Sequence, residues 1–71
     1  MRPASKHRAT LGNKIRAYRK RARLSQEKLA ELAELSRNYI GEVERGEKAI
    51  SVDALTQIAE ALGRKPYELL K

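Results

Sequence analysis

With 71 residues, the chain has room for one domain and a small hydrophobic core. It contains no cysteine, which excludes disulfides and thiolate metal sites, and its apolar runs are too short for us to expect a transmembrane helix or a signal peptide. Nine of the 16 basic residues and none of the acidic residues lie in residues 1–24, so the net charge of +7 is concentrated there. We therefore expect a cytoplasmic protein with a polyanionic partner.

Residues 1–10 form a basic segment that precedes the first apolar pattern. We expect a flexible leader, which either contacts the polyanion or is merely solvated and aids solubility. His7, the single histidine, has no ligand partner near it in this segment and is expected to be solvated. Residues 11–71 are expected to form one domain.

The first helix is predicted from about Leu11 to Arg23, with Thr10 as its cap. The side chains predicted to face inward share one side of the helix and are Leu11, Ile15, Tyr18 and Ala22. Several of the other side chains are basic, so the first helix is a candidate surface for the polyanion.

The second helix is predicted from about Gln26 to Ala33, after the N-cap residue Ser25. Its inward face is predicted to consist of Leu29, Leu32 and Ala33. Helix-forming residues dominate this segment, and no glycine or proline interrupts it.

The third helix is predicted from about Arg37 to Arg45, after the N-cap residue Ser36 and before Gly46 as its C′ residue. The side chains predicted to face inward are Leu35, Ile40 and Val43. Only Glu34 and Leu35 remain for the joint between the second and third helices. So short a joint makes the helices cross steeply, which predicts a helix-turn-helix over about residues 25–45.

A fourth helix is predicted from about Val52 to Leu62, between the N-cap Ser51 and the C′ residue Gly63. Its inward side chains are predicted to be Leu55, Ile58, Ala59 and Leu62. Pro66 suits the first turn of a short fifth helix. Because no run of alternating β-branched residues occurs, we expect an all-α fold.

Several motifs occur in a fixed order along these helices: Ile-Arg-x-x-Arg, LSQEKLA, LSRNYIGEVERGE and ISVDALTQIAEALG. With them the chain resembles, from about Leu11 to Leu70, the Cro/C1-type helix-turn-helix family, also called the XRE family. It is similar in particular to the controller proteins of restriction–modification systems. The resemblance implies a compact five-helix, lambda-repressor-like domain that binds double-stranded DNA and regulates transcription. Glu34 departs from the family, which usually has a left-handed glycine in the joint.

The third helix carries the residues that we predict to contact bases, because they lie opposite its inward face. They are Arg37, Asn38, Gly41 and Glu42. Arginine suits guanine, asparagine suits adenine, and a carboxylate can accept from cytosine in the major groove. For Gly41 two readings stay open: close approach to a base edge, or relief of crowding against the second helix.

Phosphate contacts are predicted from a wider set: Gln26, Ser36, Tyr39, Arg45, Lys48 and Arg16. Gln26 and Ser36 stand where helix N-termini favour anions, although capping alone would explain Ser36. Tyr39 is expected both to pack its ring beside the second helix and to direct its hydroxyl to a phosphate. The resemblance implies backbone contacts for the basic residues. Such contacts set register and affinity but do not select the sequence.

Two further sets are predicted to be structural. The resemblance implies a partly buried ion pair between Arg19 and Glu44, which would join the first helix to the third. The dimer-interface candidates lie toward the C-terminus and are Ile50, Tyr67, Leu69 and Leu70. The alternative for these apolar residues is that they only close the monomer core.

The sequence thus predicts a homodimeric transcriptional regulator that binds a palindromic or partly palindromic DNA operator. No catalytic cluster, metal-ligand spacing or cofactor motif is present in the sequence, so we expect no enzyme activity, metal or cofactor. Neither a membrane nor a small-molecule ligand is expected as a partner. Two alternatives are a protein-interaction module that also binds DNA, such as an antitoxin, and a basic protein without sequence preference.

Overall fold

The structure, a computed structural model, describes residues 3–70 and their side chains from residue 8 onward. Within this part of the chain it contains five α-helices and no strand, so the expected all-α fold is confirmed. The helices are α1 (Pro3–Arg21), α2 (Gln26–Ala33), α3 (Arg37–Glu44), α4 (Val52–Ala61) and α5 (Pro66–Leu70).

The bounds of α1 differ from the prediction at both ends. The helix already includes Pro3, the first described residue, so Thr10 lies within the helix and does not cap it. The segment 3–10, expected as a leader, is helical. The helix ends at Arg21, and Ala22, expected to face inward, is exposed. The leader residues 1–2 lie outside the described residues.

Serine side chains fix the starts of the three central helices, as predicted. The Oγ of Ser25 accepts from the Lys28 amide at 2.9 Å, that of Ser36 from the Tyr39 amide at 3.0 Å, and that of Ser51 from the Ala54 amide at 3.1 Å. Each bond satisfies one of the amides that a helix N-terminus leaves unpaired.

Helices α1 to α4 all end in the same hydrogen-bonded turn, in which the C′ residue has a left-handed backbone. These residues are Arg23 (φ 60°), Glu34 (φ 60°), Gly46 (φ 75°) and Gly63 (φ 69°). The amide after each one donates back to a carbonyl five residues earlier, at 2.8–3.1 Å. The glycines adopt this conformation at little cost, whereas the arginine and the glutamate are strained in it.

Replacing Glu34 by glycine is expected to raise the free energy of unfolding by about 1 kcal/mol, because glycine relieves the left-handed strain. Glu34→Ala is the matched control, since alanine also removes the carboxylate but keeps the strain. Urea unfolding of both variants measures the difference. Equal stability of the two variants would contradict a strained joint.

The core lies where helices α1 to α5 meet. Its largest fully buried side chains include Ile15, Leu29, Ile40, Ile58 and Leu69. Leu32, predicted to face inward, is instead 48% exposed, and Ala30 is buried. The reason is that α2 packs against both α3 and α4, which turns its buried face toward Ala30.

Helices α1 and α3 approach closely at Gly12. A Cβ atom placed on Gly12 would lie 2.4 Å from the carbonyl oxygen of Val43 and 2.5 Å from that of Glu44. Only a residue without a side chain fits there. Since Arg16 and Arg19 follow one and two turns later on the same face of α1, this crossing places both of them beside the C-terminal end of α3.

Candidate nucleic-acid interface

The first turn of α3 presents polar side chains to solvent. Arg37 and Asn38 are exposed, whereas Ile40 and Val43 are buried in the core. Arg37 forms no ion pair with a carboxylate of the described residues. The helix is therefore anchored by its apolar side, and a cation and an amide are left accessible on it.

The prediction that Gly41 faces outward with Arg37, Asn38 and Glu42 is wrong, because Gly41 is buried. The nearest neighbour of a Cβ atom placed on it would be Nη1 of Arg45, at 3.0 Å. The side chain of Arg45 thus lies over Gly41, and the second helix does not crowd this position. Relief of crowding against α2 therefore does not explain Gly41, whereas its contact with a base edge stays a prediction. A base edge could approach Gly41 only after Arg45 had moved.

Glu42 and Lys48 form an ion pair beside α3, with Nζ and Oε1 3.5 Å apart. Glu42 is half-buried, and the Lys48 ammonium lies 5.7 Å from the centre of the Tyr39 ring. The Tyr39 ring packs against the core, and its hydroxyl accepts a hydrogen bond from the Ser51 amide at 3.4 Å. Tyr39 therefore joins α3 to the start of α4.

Arg45 pairs with Glu47 in the turn after α3. Its Nε donates to Oε2 at 2.9 Å and its Nη2 donates to Oε1 at 3.1 Å. Both side chains are about half exposed. The hydrogen bond from Arg45 lowers the pKa of Glu47. Because the pair is exposed, its net contribution to stability is small and another anion can replace the carboxylate.

A buried carboxylate, Glu44, joins three segments at the C-terminal end of α3. Arg19 donates to it from Nε at 2.7 Å and from Nη2 at 3.1 Å. Gln26 donates from Nε2 to Oε1 at 3.0 Å, and Nε of Arg16 lies 3.6 Å from the same oxygen. Arg19 also donates from Nη1 to the Leu24 carbonyl at 2.8 Å.

These contacts outweigh the cost of burying the charge. Burial acts to raise the pKa of Glu44, but hydrogen bonds from Arg19 and Gln26 and the charges of Arg19 and Arg16 lower it below its ordinary value of 4.5. Glu44 is therefore ionised at neutral pH. It orients Gln26 at the start of α2 and Arg16 on α1, two of the predicted phosphate contacts.

The dimer candidates from the sequence fall into two groups. Leu69 is only 1% exposed and belongs to the monomer core, so its assignment to a dimer surface is wrong. Ile50 is half-buried and packs against the core. Tyr67 and Leu70 are 57% and 63% exposed, and these two side chains remain candidates.

Two searches of the described residues complete the survey of the site. None of their helices is long and apolar enough to cross a membrane. They also contain no group of three or more acidic, histidine or cysteine side chains arranged to hold a metal ion.

The sequence left two features of this region unassigned, Gly12 and the contact between Gln26 and Glu44. An isolated glycine within a helical pattern indicates close packing, so Gly12 could have predicted the crossing of α1 and α3. The contact of Gln26 had no such signal, because its partner lies 18 residues away in the chain.

A sequence model described as helix-turn-helix matches residues 15–69, and the chain belongs to this family of DNA-binding transcriptional regulators, the XRE family, whose members are not enzymes. Among its relatives, the control protein C.BamHI of Bacillus amyloliquefaciens is 42% identical over 64 residues, which cover 89% of this chain and 79% of that protein. The control protein C.SmaI of Serratia marcescens is 43% identical over 60 residues, 84% of this chain and 71% of the relative.

A solved structure agrees with this assignment. The restriction–modification controller protein C.AhdI from Aeromonas hydrophila superposes with a TM-score of 0.86 and 40% identity, covering 87% of this chain and 94% of that one. The DNA-binding domain of the P22 c2 repressor also superposes, with a TM-score of 0.83 and 33% identity. The lambda-repressor-like fold expected from the sequence is thereby confirmed.

Proposed function

We propose that this protein binds a palindromic or partly palindromic DNA operator as a homodimer, with the start of α3 in the major groove. The observation that carries the proposal is the exposure of Arg37 and Asn38 on a helix whose other side is fixed in the core. In a helix-turn-helix, the N-terminal residues of the second helix reach base edges. The guanidinium suits guanine and the amide suits adenine.

Phosphate contacts are proposed on both sides of α3. Arg16 and Gln26 lie at one side, held by Glu44, and Arg45 and Lys48 lie in and after the turn that ends α3. The last two are in exposed ion pairs, which contribute little to stability in water, so a phosphate can displace the carboxylate at small cost. Ser36 and Tyr39 stand near the start of α3, where their internal hydrogen bonds already have structural roles.

A dimer is proposed to form through the surface of α4 and α5. Tyr67 and Leu70 are large apolar side chains that the monomer leaves exposed. Two copies would present their α3 helices to half-sites about 34–36 Å apart, one turn of DNA. The similarity to proteins named control proteins and to a restriction–modification controller supports a role in gene control of that kind.

Selection of bound sites from a random duplex pool tests the proposal, and a two-fold symmetric consensus is the expected result. Arg37→Ala should relax preference at one or two positions in each half-site, at a cost of about 1–3 kcal/mol. Lys48→Ala is the control: it should weaken all duplexes alike and lower the salt dependence of binding by about one ion. An unaltered consensus for the Arg37 variant would exclude that residue from base reading.

A further inference from the structure

Two guanidinium groups lie against one aromatic ring of α1, the half-buried Tyr18, which packs against the edge of the core. The Cζ atom of Arg64, in the turn between α4 and α5, is 4.7 Å from the centre of the Tyr18 ring, and that of Arg21 is 5.5 Å from it. At these distances a cation is attracted by the ring. Each contact weakly favours the observed position of its guanidinium group.

This cluster lies on the opposite side of α1 from α3. At 100° per residue, Gly12, Arg16 and Arg19 share the side that meets α3. Lys14, Tyr18 and Arg21 follow one another at i, i+4 and i+7 and point about half a turn away from that side. We call Lys14, Tyr18, Arg21 and Arg64 the Tyr18 face.

The Tyr18 face also differs from the α3 side in its charge balance. On the α3 side Arg37 is unpaired within the part of the chain that the structure describes, but Arg16 and Arg19 share Glu44, and Arg45 and Lys48 each have a carboxylate. On the Tyr18 face, Lys14 and Arg21 form no ion pair with any carboxylate of the described residues. Arg64 has Glu68 at 3.6 Å. Lys14 and Arg21, two of the basic residues within 1–24, are therefore positive charges on this face without a carboxylate partner among the described residues.

We propose that the Tyr18 face binds the phosphates of a second duplex, so that the protein bridges two segments of DNA. This inference rests on the proposed operator binding by α3, because bridging needs that first contact. Two guanidiniums beside one ring place two planar donor groups on the same face, and a guanidinium can donate two hydrogen bonds to a phosphate. Duplex DNA carries one phosphate per strand for about every 3.4 Å along the helix axis, so a cluster of cations can meet several phosphates.

The chemistry of the face favours a phosphate backbone over an acidic protein. Protein interfaces are usually centred on accessible apolar and aromatic side chains. The aromatic member of this face, Tyr18, is half-buried with guanidiniums beside it, and its other three members are cations. Binding should therefore be independent of base sequence and should fall steeply with salt.

A capture experiment tests the inference. Selected operator duplex is fixed to beads and saturated with protein, and retention of a fluorescent non-operator duplex is measured at several salt concentrations. The double variant Arg21→Gln, Arg64→Gln should lose at least tenfold in capture while keeping its operator consensus and its operator affinity within about twofold. Arg21→Gln alone changes an exposed side chain and should lose part of the capture. Melting temperatures verify that each variant is folded.

The variant Arg37→Glu separates this proposal from the proposed function. It should lose operator selectivity, yet still bind non-operator duplex weakly through the Tyr18 face, and adding the Arg21 and Arg64 changes should abolish that residual binding. Unchanged capture by the double variant would overturn the inference, because the α3 helices of a dimer would then bridge the duplexes. Absence of the residual binding of free non-operator duplex by Arg37→Glu would overturn it as well. Equal displacement of the duplex by polyglutamate at the same charge concentration would also overturn it in favour of an acidic protein partner.

Discussion

Replacing Glu44 by alanine is expected to lower the free energy of unfolding by about 3–5 kcal/mol, the range for leaving one member of a buried ion pair without its partner. The Glu44 side chain is fully buried and that of Arg19 is 11% exposed. The substitution also removes the acceptor of Gln26. A domain of this size has a total stability of about 5–15 kcal/mol, so the variant should melt far below the wild type.

Thermal unfolding measures this effect, and Glu47→Ala is the matched control, because Glu47 has a similar bidentate arginine partner in an exposed pair. That control should change stability far less than Glu44→Ala, because an exposed ion pair contributes little. Similar losses in the two variants would show that burial does not set the strength of the Glu44 pair.

The pH dependence of stability tests the contribution of the Glu44 carboxylate independently of the thermal measurement. Since the pKa of Glu44 is lowered in the folded protein, its contribution is fully present above its ordinary value of 4.5 and is lost as the pH falls through the folded-state pKa. The wild type should therefore lose stability below that value more steeply than Glu44→Gln. Parallel curves for the two proteins would contradict the assigned shift.

Gly12→Ala is expected to produce the second-largest loss, about 1–3 kcal/mol, because the new methyl group would meet two backbone carbonyl oxygens that cannot move independently of α3. The gain of helix propensity, roughly 1 kcal/mol, offsets only part of this strain. Urea unfolding provides the measurement. The variant should also bind DNA less tightly, since separating α1 from α3 displaces Arg16.

Gly41→Ala is the control for this substitution. Its methyl group would meet only the end of the Arg45 side chain, which can swing toward solvent. We expect unchanged or slightly increased stability, by up to about 1 kcal/mol from helix propensity. If Gly12→Ala were as stable as Gly41→Ala, the close crossing of α1 and α3 would be refuted.

Local signals in the sequence predicted most of the fold. Ser25, Ser36 and Ser51 each precede an apolar pattern, and a capping serine acts within three residues of itself, so the sequence contains both partners. The helical residues before Leu11 were not predicted, because the first turns of α1 carry no apolar periodicity. Leu32 was misplaced because the direction of the buried face of α2 depends on two neighbouring helices.

The candidate site was less predictable than the fold, because more of its contacts join segments that are distant in the sequence. The exposure of Arg37 and Asn38 follows from the apolar spacing within α3. The cover that Arg45 places over Gly41 depends on a side-chain conformation, which spacing does not determine. The two guanidiniums at Tyr18 meet only because the turn after α4 returns to α1. Long-range contacts of flexible cations are therefore what sequence patterns miss here.

The shared carboxylate at Glu44 has an evolutionary consequence. Arg16 and Gln26 cannot drift freely, because each change there also perturbs the support of the whole domain. The side chains of Arg37 and Asn38 are exposed and do not contact Glu44. Under the proposed function, sequence preference can thus change through substitutions of Arg37 and Asn38, while the proposed phosphate contacts of Arg16 and Gln26 are retained together with the fold.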